Sequence, residues 1–407
     1  MLKMAFRNIF RQKRRSLLTA LAMVGGYVLT ALAIGLNDGT YNSIINAFTR
    51  DRLGHVQVHA EGYLKRPSLS RTIADYRDIG RVIEKAENAE AWAPRVYSAG
   101  LASVGECSDA ARIIGLDPMR EAKATRFDKK ITRGRNFSAA ASKEIIFGTG
   151  LAQALKASLG DEVVLVSQGT DGSLANDKYR LIGLVESGDM ASDRNSMYLH
   201  IDDARELLVL DDKVHEIVII ARSLKDAAGL NASLRRDLAG RRVEVLPWQE
   251  FARAFYSAMR SDEKGSQVTL LVLFIIVAIG VLNTALMSVL ERRREYGVLK
   301  ALGTRPRQVF GLILLEINLL ALMSILLGFS LSLPLNFYLS KHQFPISSWI
   351  SEPITYGGMQ YLSFTSEVNV RSFIVPAVTV LVSAFLVSLI PAIKASRTEP
   401  ARSIRIF

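Results

Sequence analysis

A charged cluster between two long apolar runs holds the residues best suited to specific chemistry. It spans residues 291–295, with a glutamate at each end and three arginines between, and Val298, Leu299 and Leu302 follow Glu295 at helical spacing. This period predicts a short amphipathic helix on a membrane surface. The charges form no catalytic arrangement.

Other motifs that could support catalysis or ligand binding are incomplete. The chain has no Gly-x-x-x-x-Gly-Lys-[Ser/Thr] segment, which predicts no P-loop ATP site on it. Gly148 and Gly150 follow a predicted strand, but the third glycine and the acidic residue of a dinucleotide site are absent, so we expect a structural turn. His55 and His59 share the polar face of a predicted strand with Gln57, which favours a solvated face over a zinc site. We therefore expect no catalytic, cofactor-binding or metal-binding residue on this chain.

Four apolar stretches are long enough to cross a membrane, for which about 20 residues are needed. Charge is absent from 17–36, 267–290 and 373–393, and from 317–339 behind Glu316. One such stretch could be a buried core helix, but four favour membrane spans, which we place at 17–37, 267–290, 309–340 and 373–393. Asn283 and Glu316 are costly inside a membrane and are predicted to make polar contacts there.

The net charge of +12 arises in 1–16, 291–308 and 394–407, where basic residues outnumber acidic ones, while the rest of the chain is close to neutral. This pattern follows the positive-inside rule and predicts both termini and the 291–308 segment in the cytosol. Residues 1–16 then form a cytosolic amphipathic helix, whereas 38–266 and the loop 341–372 are extracytoplasmic. Because 38–266 is close to neutral, we expect no nucleic-acid partner. The length of the first apolar run favours an uncleaved anchor over a cleaved signal peptide.

The 38–266 segment mixes strand and helix patterns, which predicts a large α+β domain between the first two spans. Its apolar runs are short, and turn residues separate them. The predicted strands are 54–60, 144–147, 163–167, 178–186 and 214–221, and the predicted helices are 151–158, 202–208, 224–238 and 247–260.

Two motifs resemble a known family. One is Met-Ser-Val-Leu-Glu-Arg-Arg-Arg-Glu-Tyr-Gly-Val-Leu-Lys-Ala-Leu-Gly at 287–303, followed by Glu316, and the other is Pro-Ala-Ile-Lys-Ala-Ser-Arg-Thr-Glu-Pro-Ala at 391–401. Together with weaker agreement at 5–15, 54–59 and 148–152, they make the chain similar to the MacB/FtsX-type permease subunits of ABC transporters. The size of the outside domain is most like that of the lipoprotein-releasing permeases (LolC/LolE).

The resemblance implies an integral membrane protein of the bacterial inner membrane, with four transmembrane helices and an extracytoplasmic α+β domain. Its partners would be two copies of an ATPase that binds ATP and Mg²⁺, a second permease (an identical copy or a paralogue), membrane lipid and a periplasmic lipoprotein, chaperone or adaptor. The residues implied to couple the chain to the ATPase are Glu291, Arg292, Arg293, Glu295, Gly297, Lys300 and Gly303.

Such a subunit is not itself an enzyme. It would extract or export a lipoprotein, lipid or other amphiphile from the outer leaflet of the inner membrane. Two alternatives stay open: an FtsX-like mechanical relay that activates a periplasmic enzyme or partner, and a MacB-like efflux permease.

Overall fold

A computed structural model describes residues 2–11, 13–342, 344–345, 354–356, 359–361 and 363–397. The helices are α1 (Leu2–Arg11), α2 (Lys13–Phe48), α3 (Tyr76–Lys85), α4 (Pro118–Ala124), α5 (Thr149–Leu155), α6 (Met190–Asn195), α7 (Ile201–Leu208), α8 (Ala227–Asp237), α9 (Trp248–Phe251), α10 (Arg253–Glu291), α11 (Arg293–Ala301), α12 (Pro306–Lys341) and α13 (Arg371–Ser396). A π-helical turn, Thr49–Leu53, continues α2, and 3₁₀ turns cover Phe127–Lys130 and Leu224–Asp226.

The described strands are β1 (Val56–Ala60), β2 (Ala89–Val104), β3 (Cys107–Leu116), β4 (Ile131–Gly134), β5 (Glu144–Gly148), β6 (Glu162–Gln168), β7 (Leu174–Val185), β8 (Ser196–His200), β9 (Glu216–Ala221), β10 (Val243–Pro247), β11 (Phe344–Pro345), β12 (Ile354–Tyr356), β13 (Met359–Tyr361) and β14 (Ser363–Phe364). The chain divides into two compact units. One contains the apolar helices, and the other is built mainly from Ser43–Met259.

Four helices of the first unit are long and apolar enough to cross a membrane, and they lie within Ser16–Leu53, Arg253–Asn283, Pro306–Lys341 and Arg371–Ser396. Small residues let these helices approach closely. A Cβ on Gly26 would lie 2.6 Å from Val277 of α10, and one on Gly328 of α12 would lie 2.7 Å from the ring of Tyr27. Close packing of this kind is typical of helices that associate in lipid.

Helix α1 covers residues 2–11 of the 1–16 segment in which an amphipathic helix is predicted. Ala5 and Ile9 are buried, whereas Phe6 and Phe10 are exposed with their ring centroids 4.9 Å apart. The helix packs on α12.

The second unit contains a mixed sheet in the order β10-β1-β9-β2-β3-β8-β5-β7-β4, with β6 paired to β2 and β7. The β3–β8 and β5–β7 pairs are parallel, and the other pairs are antiparallel. The main core lies under α3, α5, α7 and α8 and includes Val56, Val58 and Ile217. The predicted strands correspond to β1, β5, β6, β7 and β9, whereas the long β2–β3 hairpin was not predicted.

The prediction of a solvated histidine face on β1 is wrong. His55, Gln57 and His59 are all buried, so this face is covered as well as the face of Val56 and Val58. The ring of Tyr63, for example, stacks on that of His59 with centroids 5.3 Å apart. Gln57 donates to the carbonyl oxygen of Leu53 at 2.7 Å, and its side-chain oxygen lies 2.9 Å from Nε2 of His59. This face of β1 therefore carries a buried polar network.

Candidate coupling site

The candidate coupling site is built around α11, a helix of nine residues between α10 and α12. Helix α10 ends at Glu291, and Arg292, with φ −95° and ψ 13°, separates the two helices. At the other end the amides of Gly303 and Thr304 donate to the carbonyls of Lys300 and Leu299, both at 3.0 Å. This is the Schellman arrangement, which requires a left-handed residue, and Gly303 supplies it with φ +96°. The glycine in the motif therefore ends the coupling helix.

Helix α12 begins immediately afterwards. Pro306 occupies its first turn, where a missing amide costs nothing, and the side chain of Gln308 accepts a hydrogen bond from the amide of Arg305 at 2.9 Å. The connection between the two helices is thus short and fixed at both ends.

Arg292 fixes the start of α11 to α12. Its Nη1 lies 2.7 and 2.9 Å from the two carboxylate oxygens of Glu316, and its Nε donates to Glu295 at 2.9 Å. Arg292 is only 6% exposed. Burial alone would lower the pKa of Arg292, but Tyr296, Glu316 and Glu295 together raise it above its ordinary value. The guanidinium is therefore a permanent charge that binds two carboxylates 21 residues apart in the chain.

A second contact fixes the end of α11. Lys300 is half-buried, and its ammonium donates to the carbonyl oxygen of Ser396, at the end of α13. Between the two contacts, Tyr296 and Gly297 are buried, and Tyr296 belongs to the same core cluster as Val309. One face of α11 is therefore held against both α12 and α13.

The opposite face of α11 is exposed. Leu302 is 79% exposed and Val298 is 44% exposed, and Glu291, Arg294 and Glu295 are exposed beside them. Of the three apolar residues in the predicted amphipathic pattern, Leu299 packs towards the core of the unit, whereas Val298 and Leu302 are exposed. This face therefore combines two exposed apolar side chains, Val298 and Leu302, with charges of both signs.

The other predicted residues fall in different places. Asn283 is exposed on α10, away from the contacts described above, and the side chain of Arg293 lies outside the described residues. Glu316, predicted to make a polar contact, makes the bidentate one with Arg292. The sequence reasoning missed the buried Tyr296. Its spacing from Arg292 and Leu299, four and three residues, is the signal that could have identified the buried face.

Comparison with known proteins identifies the family to which the chain belongs. The family model of the MacB-like periplasmic core domain matches residues 16–237, and that of the FtsX-like permease C-terminal region matches 268–400. Both describe parts of ABC transporter permeases. The chain belongs to the MacB/FtsX-type family of ABC transporter permeases.

Individual relatives extend over most of the chain. A lipoprotein-releasing system transmembrane protein LolC from Neisseria meningitidis serogroup B is 25% identical over 98% of this chain and 97% of its own length. LolC from Xylella fastidiosa is 22% identical over 77% of each chain. Among solved structures, the periplasmic region of MacB from Actinobacillus actinomycetemcomitans is 14% identical, with a TM-score of 0.37 over 50% of this chain and 94% of that one.

Proposed function

We propose that this chain is the permease subunit of an inner-membrane ABC transporter that moves a lipoprotein, lipid or other amphiphile out of the outer leaflet. The ATPase would be a separate chain, present in two copies, that binds ATP and Mg²⁺. The observation that carries the proposal is the double attachment of α11. It is bound to α12 through Arg292 and Glu316 and to α13 through Lys300, while its other face is exposed.

In this mechanism, the ATPase binds the exposed face that contains Glu291, Arg294, Glu295, Val298 and Leu302. When ATP closes the ATPase dimer, α11 moves with its partner. Because the guanidinium of Arg292 and the ammonium of Lys300 attach α11 to two long helices, the displacement reaches both helices instead of bending a loop. The extracytoplasmic domain then moves, and no substrate needs to cross the membrane.

The charge distribution supports the orientation. The basic segments 1–16, 291–308 and 394–407 would all lie in the cytosol, where the ATPase is found. Residues 398–407 lie outside the described residues. The domain of Ser43–Met259 would then lie in the periplasm.

A second permease subunit is supported by α10. In the most apolar 18-residue stretch of α10, only 6% is buried within the chain. The corresponding share is 39% in both α2 and α12. Val268, Leu271, Ile275 and Ile279 are all exposed on α10. A second permease, either an identical copy or a paralogue, together with lipid would cover this face.

The cargo is proposed from the relatives. Similarity to LolC over nearly the whole chain favours release of a lipoprotein over efflux of a small molecule. A mechanical relay would behave differently, because it would co-purify with a periplasmic hydrolase and would release no lipid or lipoprotein.

Charge reversal on α11 tests the coupling role. Glu295→Lys removes a partner of Arg292 and reverses a charge of the exposed face, and Lys300→Glu breaks the contact with Ser396. We expect both variants to insert into the membrane and to release much less lipoprotein for each ATP hydrolysed by the complex. The matched control is Lys225→Glu, an exposed charge reversal in the other unit. Undiminished release in both α11 variants would refute the coupling role.

A further inference from the structure

The turn that joins α2 to the domain is held by donors from three different elements. Lys130 donates to the carbonyl oxygen of Asp51, Nη2 of Arg95 donates to that of Arg52 at 2.9 Å, and Nε2 of Gln57 donates to that of Leu53 at 2.7 Å. The last carbonyls of a helix have no partner within the helix. Here three consecutive ones are satisfied by side chains that lie 79, 43 and 4 residues away in the chain.

Arg95 is itself fixed to the domain core. Its Nε and Nη2 bind the two carboxylate oxygens of Glu121 at 2.5 and 3.1 Å, and both residues are buried. Thr125 donates to the same carboxylate. Burial favours the neutral acid, but Arg95 and Thr125 outweigh it and hold the pKa of Glu121 below its ordinary value. The pair is therefore charged, and it connects β2, α4 and the turn.

The side chains of the turn bind the domain as well. Arg50 makes two hydrogen bonds to Glu90, at 2.5 and 2.7 Å, and Arg52 lies 2.5 Å from the buried carboxylate of Asp189. Gly54 closes the turn with φ +84° and donates its amide to Thr49 at 2.6 Å. The turn belongs to the second unit, and these contacts fix it to the rest of that unit.

We propose that Arg95 and Lys130 form a cationic cap on Thr49–Leu53 and act as positioning residues. They make the turn a rigid joint, so that movement of α2 reaches the sheet and is not absorbed where the helix ends. Two cations at a helix C-terminus are favourable for the helix dipole. Arg95 lies on β2 and Lys130 directly precedes β4, so these two side chains connect the end of the helix to the sheet. The inference rests on the proposed function for its purpose, but the rigidity can be measured without any substrate.

The test uses the full chain in lipid nanodiscs, with Cys107→Ser to remove the only cysteine. Spin labels are attached at exposed positions of two helices, Asn46 on α2 and Gln153 on α5, and the distribution of distances between them is measured by pulsed electron resonance. The test variant is Arg95→Met with Glu121→Gln, which removes both charges of the pair. Buried Glu216 then loses Arg95, 3.6 Å away, but still accepts a hydrogen bond from the hydroxyl of Tyr97 at 2.9 Å. We expect a clearly broader distance distribution than in the parent.

The matched control is Arg135→Met with Glu144→Gln, which removes a bidentate Arg–Glu pair elsewhere in the domain. We expect its distribution to stay as narrow as that of the parent. Lys130→Met, which disturbs no ion pair with Glu121, gives a second independent measurement if the double variant folds poorly. A narrow distribution in both cap variants would overturn the proposal.

Measurements on the assembled transporter separate this inference from the proposed function. A joint that transmits movement predicts that release per ATP falls about fivefold or more in the cap variants, while the ATPase rate is kept. Broadened distances with unchanged release would refute the transmitting role of the cap. If the parent releases no lipoprotein but the distances broaden, the proposed function fails and the rigid joint stands.

Discussion

The ion pair between Arg292 and Glu316 can be tested by a double-mutant cycle. The pair has two hydrogen bonds, at 2.7 and 2.9 Å, and the two side chains are 7% and 17% exposed. A hydrogen bond to a charged group contributes about 1.5–3 kcal/mol. Because Glu295 also binds Arg292, we take the lower part of that range and expect a coupling energy of about 2 kcal/mol. Each single replacement leaves a buried charge without this partner and should cost about 3 kcal/mol.

The cycle consists of Arg292→Met, Glu316→Leu and the double variant. Unfolding is followed in mixed micelles with increasing SDS, under conditions where it is reversible. The double variant should cost about 2 kcal/mol less than the sum of the two single variants. Arg307→Met, which removes an exposed arginine at the start of α12, is the control and should be nearly neutral. A coupling energy below about 0.5 kcal/mol would refute the assignment, since distant sites are additive to that degree.

The same double variant separates stability from coupling. It leaves neither partner of the pair as an unpaired buried charge, and by these magnitudes it should be about 4 kcal/mol less stable than the parent, where two independent losses would cost about 6 kcal/mol. Helix α11 is nevertheless no longer bound to α12 at its start. We therefore expect the complex to hydrolyse ATP with reduced release of cargo. Full release from this variant would show that Arg292 and Glu316 only stabilise the protein.

Three further predictions concern the rest of the chain. Burial lowers the pKa of His55 from 6.5 to about 4. The domain should therefore lose up to about 3 kcal/mol of stability as the pH falls from about 6.5 to about 4. His55→Asn should flatten this pH dependence, as measured by urea titrations followed by fluorescence. Gly26→Val should destabilise the helix bundle by about 1–3 kcal/mol, and Val277→Ala should restore part of the loss, as measured by thermal unfolding. The rings of Phe48 and Phe255 stack with centroids 3.7 Å apart, so Phe255→Ala should cost about 3–5 kcal/mol of domain stability and Phe255→Leu less.

The apolar helices could be predicted from the sequence because each one contains a continuous run of apolar residues. The predicted ends were less accurate. Helix α2 continues to Phe48, beyond the apolar run that ends near residue 37, and α10 begins at Arg253, before the run that starts at 267. Hydropathy detects where apolar residues stop, but a helix ends only where capping or a left-handed residue such as Gly54 stops it.

The coupling motif could be located, but its buried face could not be predicted. The ion pair that orients α11 joins Arg292 to a residue 24 positions away, and three consecutive arginines gave no means of choosing the buried one. The buried face of β1 was missed for a related reason. Alternation of valine with polar residues is typical of a half-exposed strand, and only the burial of His55, Gln57 and His59 in the folded structure shows that the polar face is covered too.

Release of a lipopeptide from proteoliposomes tests the central claim most directly. The chain is reconstituted with the ATPase that co-purifies with it, together with a fluorescent acylated lipopeptide in the membrane and a soluble acceptor outside. We predict ATP-dependent transfer of the lipopeptide to the acceptor by the parent, and strongly reduced transfer for each ATP hydrolysed by Glu295→Lys. ATP hydrolysis by the parent complex without any transfer of lipopeptide or lipid would contradict the account.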